Sequence, residues 1–441
     1  MMTMRWMLVV VVACFGATAQ AAIEIKQVES PGGIKAWLVE EHSIPFTALE
    51  IRVRGGAALD APGKRGAINL MTALIEEGAG DMTAQEFQAA REALAASYSF
   101  RAYDDTMSVS AQFLTENRDE AVALLRLALV SPRFDQDAID RVRAQVLSGI
   151  ASDAKDPATI ASSVFDAAAF GDHPYGTSPD GTADSVTALT REDIVAAHAA
   201  ALTRDRVYVG VVGDITADEL GALLDTLLGD LPAEGPPLPD TAAYGLAGGV
   251  TVVPFDTPQS VALFGHEGID RDDPDYFAAY ILNEVLGAGG FESRLMQEVR
   301  EKRGLTYGIS TFLVPKFHAS LVVGQVASAN ATIAEAIDVT RAEWARMASE
   351  GMTQDELDTV KTFITGEYPL RFDGNAEIAS ILVGMQMIDL PPDYVINRND
   401  YIEAVTLDDV NRVARELLRP DDLHFVVVGQ PEGLESTEPA N

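Results

Sequence analysis

Apolar positions along this chain fall into two kinds of run. Some recur at the three-to-four spacing of an amphipathic helix; others are short β-branched stretches bounded by turn formers. Read in order, residues 36–39 and 48–54 form a strand pair, 67–77 and 84–96 form helices, and 98–103 with 106–113 form a second strand pair. A long helix over 118–130 follows. The same order returns later: strands at 250–253 and 260–265, helices at 274–286 and 291–302, strands at 307–314 and 318–326, and a long helix at 331–350. Strands and helices mix without strict βαβ alternation. The pattern predicts an α+β fold, with helices packed on mainly antiparallel sheets.

The recurrence has a fixed offset. ALTREDIVAAHAAALTRDRVYVGVVGD starts at Ala188, and AVTLDDVNRVARELLRPDDLHFVVVGQ starts at Ala404. Thr190 then meets Thr406, Asp193 meets Asp409 and Gly213 meets Gly429, each 216 residues apart. Each copy reads as a helix with a Thr N-cap and an Asp three residues on, a variant of the capping box. A buried strand follows, at 207–212 and 424–428. A period of this length means duplication of a whole domain. Between the copies, LPAEGPPLP at 231–239 holds four prolines and a glycine, and cannot continue a helix or a central strand. The expected organisation is an export segment at 1–21, two homologous α/β domains at 22–230 and 247–433, a linker at 231–246, and a disordered tail at 434–441.

Composition narrows the function. Of 441 residues, 47% are apolar, enough for a sizeable core. Acids number 67 against 32 bases, a net charge of −35. There is no basic footprint for nucleic acid, and an anionic membrane surface would repel the chain. The sole cysteine, Cys14, excludes an intramolecular disulfide and a thiolate metal site. Arg5, the apolar stretch 6–16 and Ala19-Gln20-Ala21 form a signal-peptide pattern, so the chain is expected to be periplasmic. Val11-Val12-Ala13-Cys14 offers an alternative, a lipid anchor on Cys14. No later stretch reaches about 18 uninterrupted apolar residues, so no transmembrane helix is expected.

Conventional catalytic constellations are missing. The histidines are His42, His173, His198, His266, His318 and His424, and no two lie three or four residues apart. No G-x-S-x-G elbow occurs. Gly287-Ala288-Gly289-Gly290 lacks the lysine and preceding strand of a phosphate loop. Glu76-Glu77 reads as a solvated helix end, and Asp270, Asp272, Asp273 and Asp275 as an exposed acidic loop.

The segment 287–310, GAGGFESRLMQEVREKRGLTYGIS, joins a glycine-rich turn, an amphipathic helix and a strand start. Together with the duplication, and with His173-Pro174-Tyr175-Gly176 followed by Gly181-Thr182, it resembles the M16 (pitrilysin-like, mitochondrial-processing-peptidase-like) family of zinc peptidases. The resemblance covers nearly all of the chain after the export segment. It implies an H-x-x-E-H helix in the first half, with two zinc ligands and a general base. The matching positions hold Asn69, Thr72 and Ala73. The distal ligand is implied on a helix over 139–150, yet no glutamate occurs between Glu120 and Glu192. So no metal and no catalytic residue are expected in this chain alone.

The resemblance also implies an arginine and a tyrosine, seven residues apart in the second half, that reach a catalytic zinc. Here they are Arg300 and Tyr307 in REKRGLTY. A phenol can donate to a carbonyl as it becomes an oxyanion, and a guanidinium can hold peptide carbonyls. Gly304 suits the turn between them; Arg303 reads as a solvated cap, and Arg294 as a second candidate for the same cavity. The implied function is the non-catalytic subunit of a heterodimeric zinc endopeptidase. The catalytic partner would carry H-x-x-E-H and the zinc, and a peptide would be the substrate. The alternative is a periplasmic peptide-binding or scaffold protein with no peptidase partner.

Overall fold

The computed structural model describes residues 23–437. The export segment and Cys14 lie outside the described residues. The first half contains β1 (Lys26–Glu29), β2 (Lys35–Glu40), β3 (Phe46–Arg54), the short hairpin β4 (Gly78–Ala79) and β5 (Met82–Thr83), β6 (Ser97–Ala102), β7 (Thr106–Leu114) and β8 (Val207–Gly213). Its helices are α1 (Ala67–Leu74), α2 (Ala84–Ala93), α3 (Arg118–Val130), α4 (Gln136–Asp153), α5 (Pro157–Phe170), α6 (Ala183–Ala188), α7 (Arg191–Ala201) and α8 (Ala217–Leu228). The second half contains β9 (Gly249–Pro254), β10 (Gln259–Glu267), β11 (Ile309–Pro315), β12 (Ser320–Ala329) and β13 (His424–Gly429). Its helices are α9 (Tyr276–Asn283), α10 (Ile333–Glu350), α11 (Gln354–Glu367), α12 (Asn375–Met387), α13 (Tyr394–Ala404) and α14 (Leu407–Leu417).

The duplication is visible strand by strand. The first sheet runs β1-β2-β8-β3-β7-β6 and the second runs β11-β12-β10-β13-β9. Removing β1 and reversing one gives the same order. Each sheet has one parallel pair, β2 with β8 and β9 with β13, and is otherwise antiparallel. Thr190 and Thr406 both cap their helices, with Asp193 and Asp409 closing the boxes. The tail expectation fails for part of its length. Thr437 N–H donates to Val250 O at 2.8 Å, and Val252 N–H donates to Ser436 Oγ at 2.8 Å. Open edge groups of β9 need partners, and this segment supplies them.

Period-two alternation assigns each sheet two buried faces. Leu49, Ile51 and Val53 of β3 pack with Ile68, Leu125 and Leu224 from helices of their own half. Phe264 and Phe425 pack likewise with Ile281, Trp344 and Val410. The opposite faces are covered from across the molecule. Ala161, Phe165 and Ala169 of α5 pack on Val426 and Val428 of β13. Ala379 and Leu382 of α12 pack on Val212 of β8, beside Trp37 and Val39. Gly210 permits this contact, because a Cβ there would lie 2.4 Å from Ala379 O. Each half therefore lends one helix to the other.

A polar joint reinforces the exchange. Tyr175 donates to Asp105 Oδ1 at 2.6 Å and accepts from His318 N–H at 3.1 Å. Lys316 pairs with Asp104 at 2.8 Å and sits 4.2 Å from the Tyr175 ring centre. The linker crosses the same seam: His173 Nε2–H donates to Asp240 O at 3.1 Å, and Ala242 N–H donates to His318 O at 2.7 Å.

Candidate functional site

Helix α1 retains the geometry of a two-ligand helix but not the chemistry. Asn69 and Ala73, one turn apart, face outward, Asn69 half-buried and Ala73 exposed. The Asn69 amide donates to Asp180 Oδ1 at 2.8 Å. Thr72 is buried, and its hydroxyl donates to Ile68 O at 2.7 Å. Ala73 has no donor atom. These residues do not fit zinc: one polar group serves the loop beside it, one serves the helix backbone, and the third position is a methyl group. Burial, with Asp153 as a further cause, holds the Asp180 carboxyl above its ordinary range. Among the described residues no group of three or more His, Cys, Asp or Glu could hold a metal ion.

Asp60 escaped the sequence reading. Its carboxylate accepts from Gly66 N–H at 2.8 Å and Ile68 N–H at 2.9 Å, satisfying free donors at the start of α1. Burial pushes its pKa up to about 6, against the pull of those hydrogen bonds and Arg65. An acid six residues before the N-cap Gly66 is outside the usual capping spacing, so sequence offered no signal.

The second-half segment differs from the expected plain helix over 291–302. The chain makes a π-helical turn at Glu284–Ala288, a 3-10 turn at Gly290–Glu292 and a second π-helical turn at Met296–Glu301. The wide turns show in Gly289 N–H donating to Glu284 O and Lys302 N–H to Gln297 O, each five residues back. Arg300 lies on the second turn, its guanidinium 4.5 Å from the Phe291 ring centre. Its Nη1 is 3.3 Å from Glu301 Oε1, within range for charge attraction but off the angle of a hydrogen bond. Gly304, at φ +65°, then turns the chain in a conformation that a Cβ disfavours.

Tyr307 was expected to open a strand. It stands instead on a bend two residues before β11. The Thr306 hydroxyl fixes that bend, donating to Ala327 O at 2.6 Å and accepting from Gly308 N–H at 3.0 Å. The Tyr307 side chain is 87% exposed, with its phenol projecting into solvent. Beside the bend a cleft of about 510 Å³ runs past Gly287, Gly290, Met296, Gly308 and Ser310. Strand β11 is the outer strand of its sheet there.

Neighbouring basic residues have other duties. Arg294 does not face the cleft: it forms a two-pronged pair with Glu356 at 2.7 and 2.8 Å and donates to Gly351 O. Arg303 pairs with Glu298 at 2.7 Å, as a surface cap would. Glu76 and Glu77 pair with Arg91 and Arg141 rather than standing free.

Two sequence-family models match this duplicated architecture. Residues 36–182 match insulinase (peptidase family M16), and residues 188–363 match the peptidase M16 inactive domain. The chain belongs to the M16 peptidase family, as a member without H-x-x-E-H. It is 26% identical over 395 residues to a Helicobacter pylori protein named non-peptidase homolog YmxG, covering 88% of this chain and 90% of that one. It is 27% identical to an uncharacterised zinc protease of Mycobacterium leprae, covering 88% of each. The crystal structure of a peptidase M16 inactive domain from Pseudomonas fluorescens superposes with a TM-score of 0.87 at 27% identity, covering 94% of this chain and 99% of that one. Among the described residues no helix is long and apolar enough to cross a membrane.

Proposed function

We propose that this chain is the non-catalytic subunit of an exported, two-chain M16 endopeptidase. Its partner carries H-x-x-E-H and the zinc, and a peptide lies between the two. The observation that carries the reading is Tyr307: a bare phenol on a backbone-pinned bend, seven residues after Arg300, in a chain whose own motif helix holds no ligand. In the complex, the Tyr307 hydroxyl donates to the substrate carbonyl as negative charge develops, and Arg300 leaves Phe291 to hold a neighbouring peptide carbonyl.

Two results test this. Affinity capture of the tagged chain from its native envelope should recover a similar-sized chain carrying H-x-x-E-H, with peptidase activity only in the complex. Tyr307→Phe should then lower turnover about 100-fold, the cost of one oxyanion donor, while assembly is unchanged. Unchanged turnover removes Tyr307 from the mechanism. A second reading, a periplasmic peptide-binding or scaffold protein, is favoured by the likeness to the non-peptidase homolog. Capture of the chain alone, or with unrelated envelope proteins, selects it.

A further inference from the structure

A second cleft, of about 460 Å³, lies between α9, α12 and α13, with the 3-10 turn Tyr368–Arg371 at its rim. Its volume is that of a small-molecule site. Three arginines line it, Arg271, Arg371 and Arg398, against one acid, Glu377. That balance opposes a chain with 67 acids and 32 bases. Glu284 and Glu367 act on Tyr280 alongside Arg371 and Arg398, but neither lines the cleft.

Among the described residues no carboxylate forms an ion pair with Arg271, Arg371 or Arg398, although Glu284 feels Arg371 and Arg398 at longer range. Arg271 donates to the Tyr394 hydroxyl at 3.2 Å and lies 4.2 Å from the Tyr276 ring centre. Arg398 is 6% exposed and donates to Ile364 O at 2.8 Å and Asn399 Oδ1 at 3.2 Å, with Tyr368 at 4.7 Å. Arg371 is exposed at the rim. Neutral acceptors and ring faces orient Arg271 and Arg398, leaving their charge without a direct ion pair.

The rest of the lining is apolar or aromatic, including Ile381, Met385 and Leu390. Phe277 also lines it and stacks on Tyr401 behind, 5.5 Å apart and within 5° of parallel. Stacking fixes the ring, so the wall keeps its shape. A bare inorganic anion would satisfy the arginines and leave this wall wet. We infer that the cleft binds a carboxylate carried on an aromatic or large apolar group, with the arginine forks taking the carboxylate and the α12 side chains taking the apolar part. This site is separate from Arg300 and Tyr307, and its occupancy does not depend on the subunit reading.

The test is calorimetric titration of the purified chain with N-acetylphenylalanine. Saturable binding is expected, with N-acetylphenylalaninamide at least tenfold weaker. Arg371→Gln should weaken binding at least tenfold with an unchanged thermal melt, since Arg371 is exposed. Arg126→Gln, on α3 in the first half and paired with Asp230, should leave it unchanged. The amide comparison uses the unaltered protein, so it stands even if a variant misfolds. A pentapeptide ending in phenylalanine separates the two sources of this chemistry, a peptide C-terminus or a free aromatic acid. Equal affinity for acid and amide, equal affinity for inorganic phosphate, or an Arg371→Gln protein that binds normally would each overturn the proposal.

Discussion

His266 shows how one buried side chain sets a pH response. Its Nε2 accepts from the Trp344 indole N–H at 3.2 Å, and its Nδ1–H donates to Glu267 O at 2.7 Å. An indole nitrogen only donates, so the ring must be neutral with its proton on Nδ1. Burial pushes the pKa down to about 4. The unfolded chain takes up this proton near pH 6.5 and the folded chain only near 4, so acidification favours unfolding across that window. Between pH 7.5 and 4.5 the loss from this group is roughly 2–3 kcal/mol. Asp60 and Asp166 act in the opposite sense. Burial raises both to about 6, so the stability they contribute is present below the unfolded value and is lost as pH rises through 6. Urea unfolding of wild type and His266→Gln at both pH values separates them: the variant should lose roughly 2–3 kcal/mol less on acidification. Equal losses would show that His266 is not the group responsible.

Among the elements, α5 and α12 are the informative pair. Phe165 is buried against the sheet of the opposite half. Phe165→Ala should destabilise by about 3–5 kcal/mol. Hydrogen exchange should place the loss in β10 and β13, not in the half that encodes the residue. Protection lost only in the first half would contradict the exchange of helices. Sequence could not show that exchange. The spacing of Ala379 and Leu382 marks a helix with an apolar face, but periodicity does not say which sheet the face meets. Capped helices and buried strands were legible, because Thr190, Thr406 and the valine runs act through neighbours in sequence. The π-helical turns were not, because their hydrogen-bond offset leaves no mark in composition. Tyr307 was placed one element too late for a related reason: the Thr306 contact that bends the chain comes from Ala327, 21 residues away. The arginine cleft was invisible too, its lining spread from Arg271 to Arg398.

For the whole molecule, two halves of one ancestry have diverged where they face the crossing helices. The first sheet presents Glu50, Arg52 and Ser110 there, with Arg52 donating to Ser380 of α12 at 2.9 Å. The second presents Leu263 and Val323 to α5. One seam is thus partly polar and the other mainly apolar at these positions. The first half carries Asn69, Thr72 and Ala73 where the family motif has its ligands and base, while the second carries Arg300 and Tyr307, proposed above to complete a partner's site. Duplication leaves each copy free to change as long as the shared packing survives.

The exchanged helices predict that the two halves hold together without a covalent connection at the linker. Each half alone would expose to water a sheet face that is covered in the intact protein, and would carry a helix with nowhere to bury. Two polypeptides split at Leu238 and produced in the same cell should therefore reassemble and co-purify through urea too dilute to unfold the intact chain. Produced separately, each should precipitate. On that outcome the protein would behave as an obligate dimer whose subunits are translated in tandem.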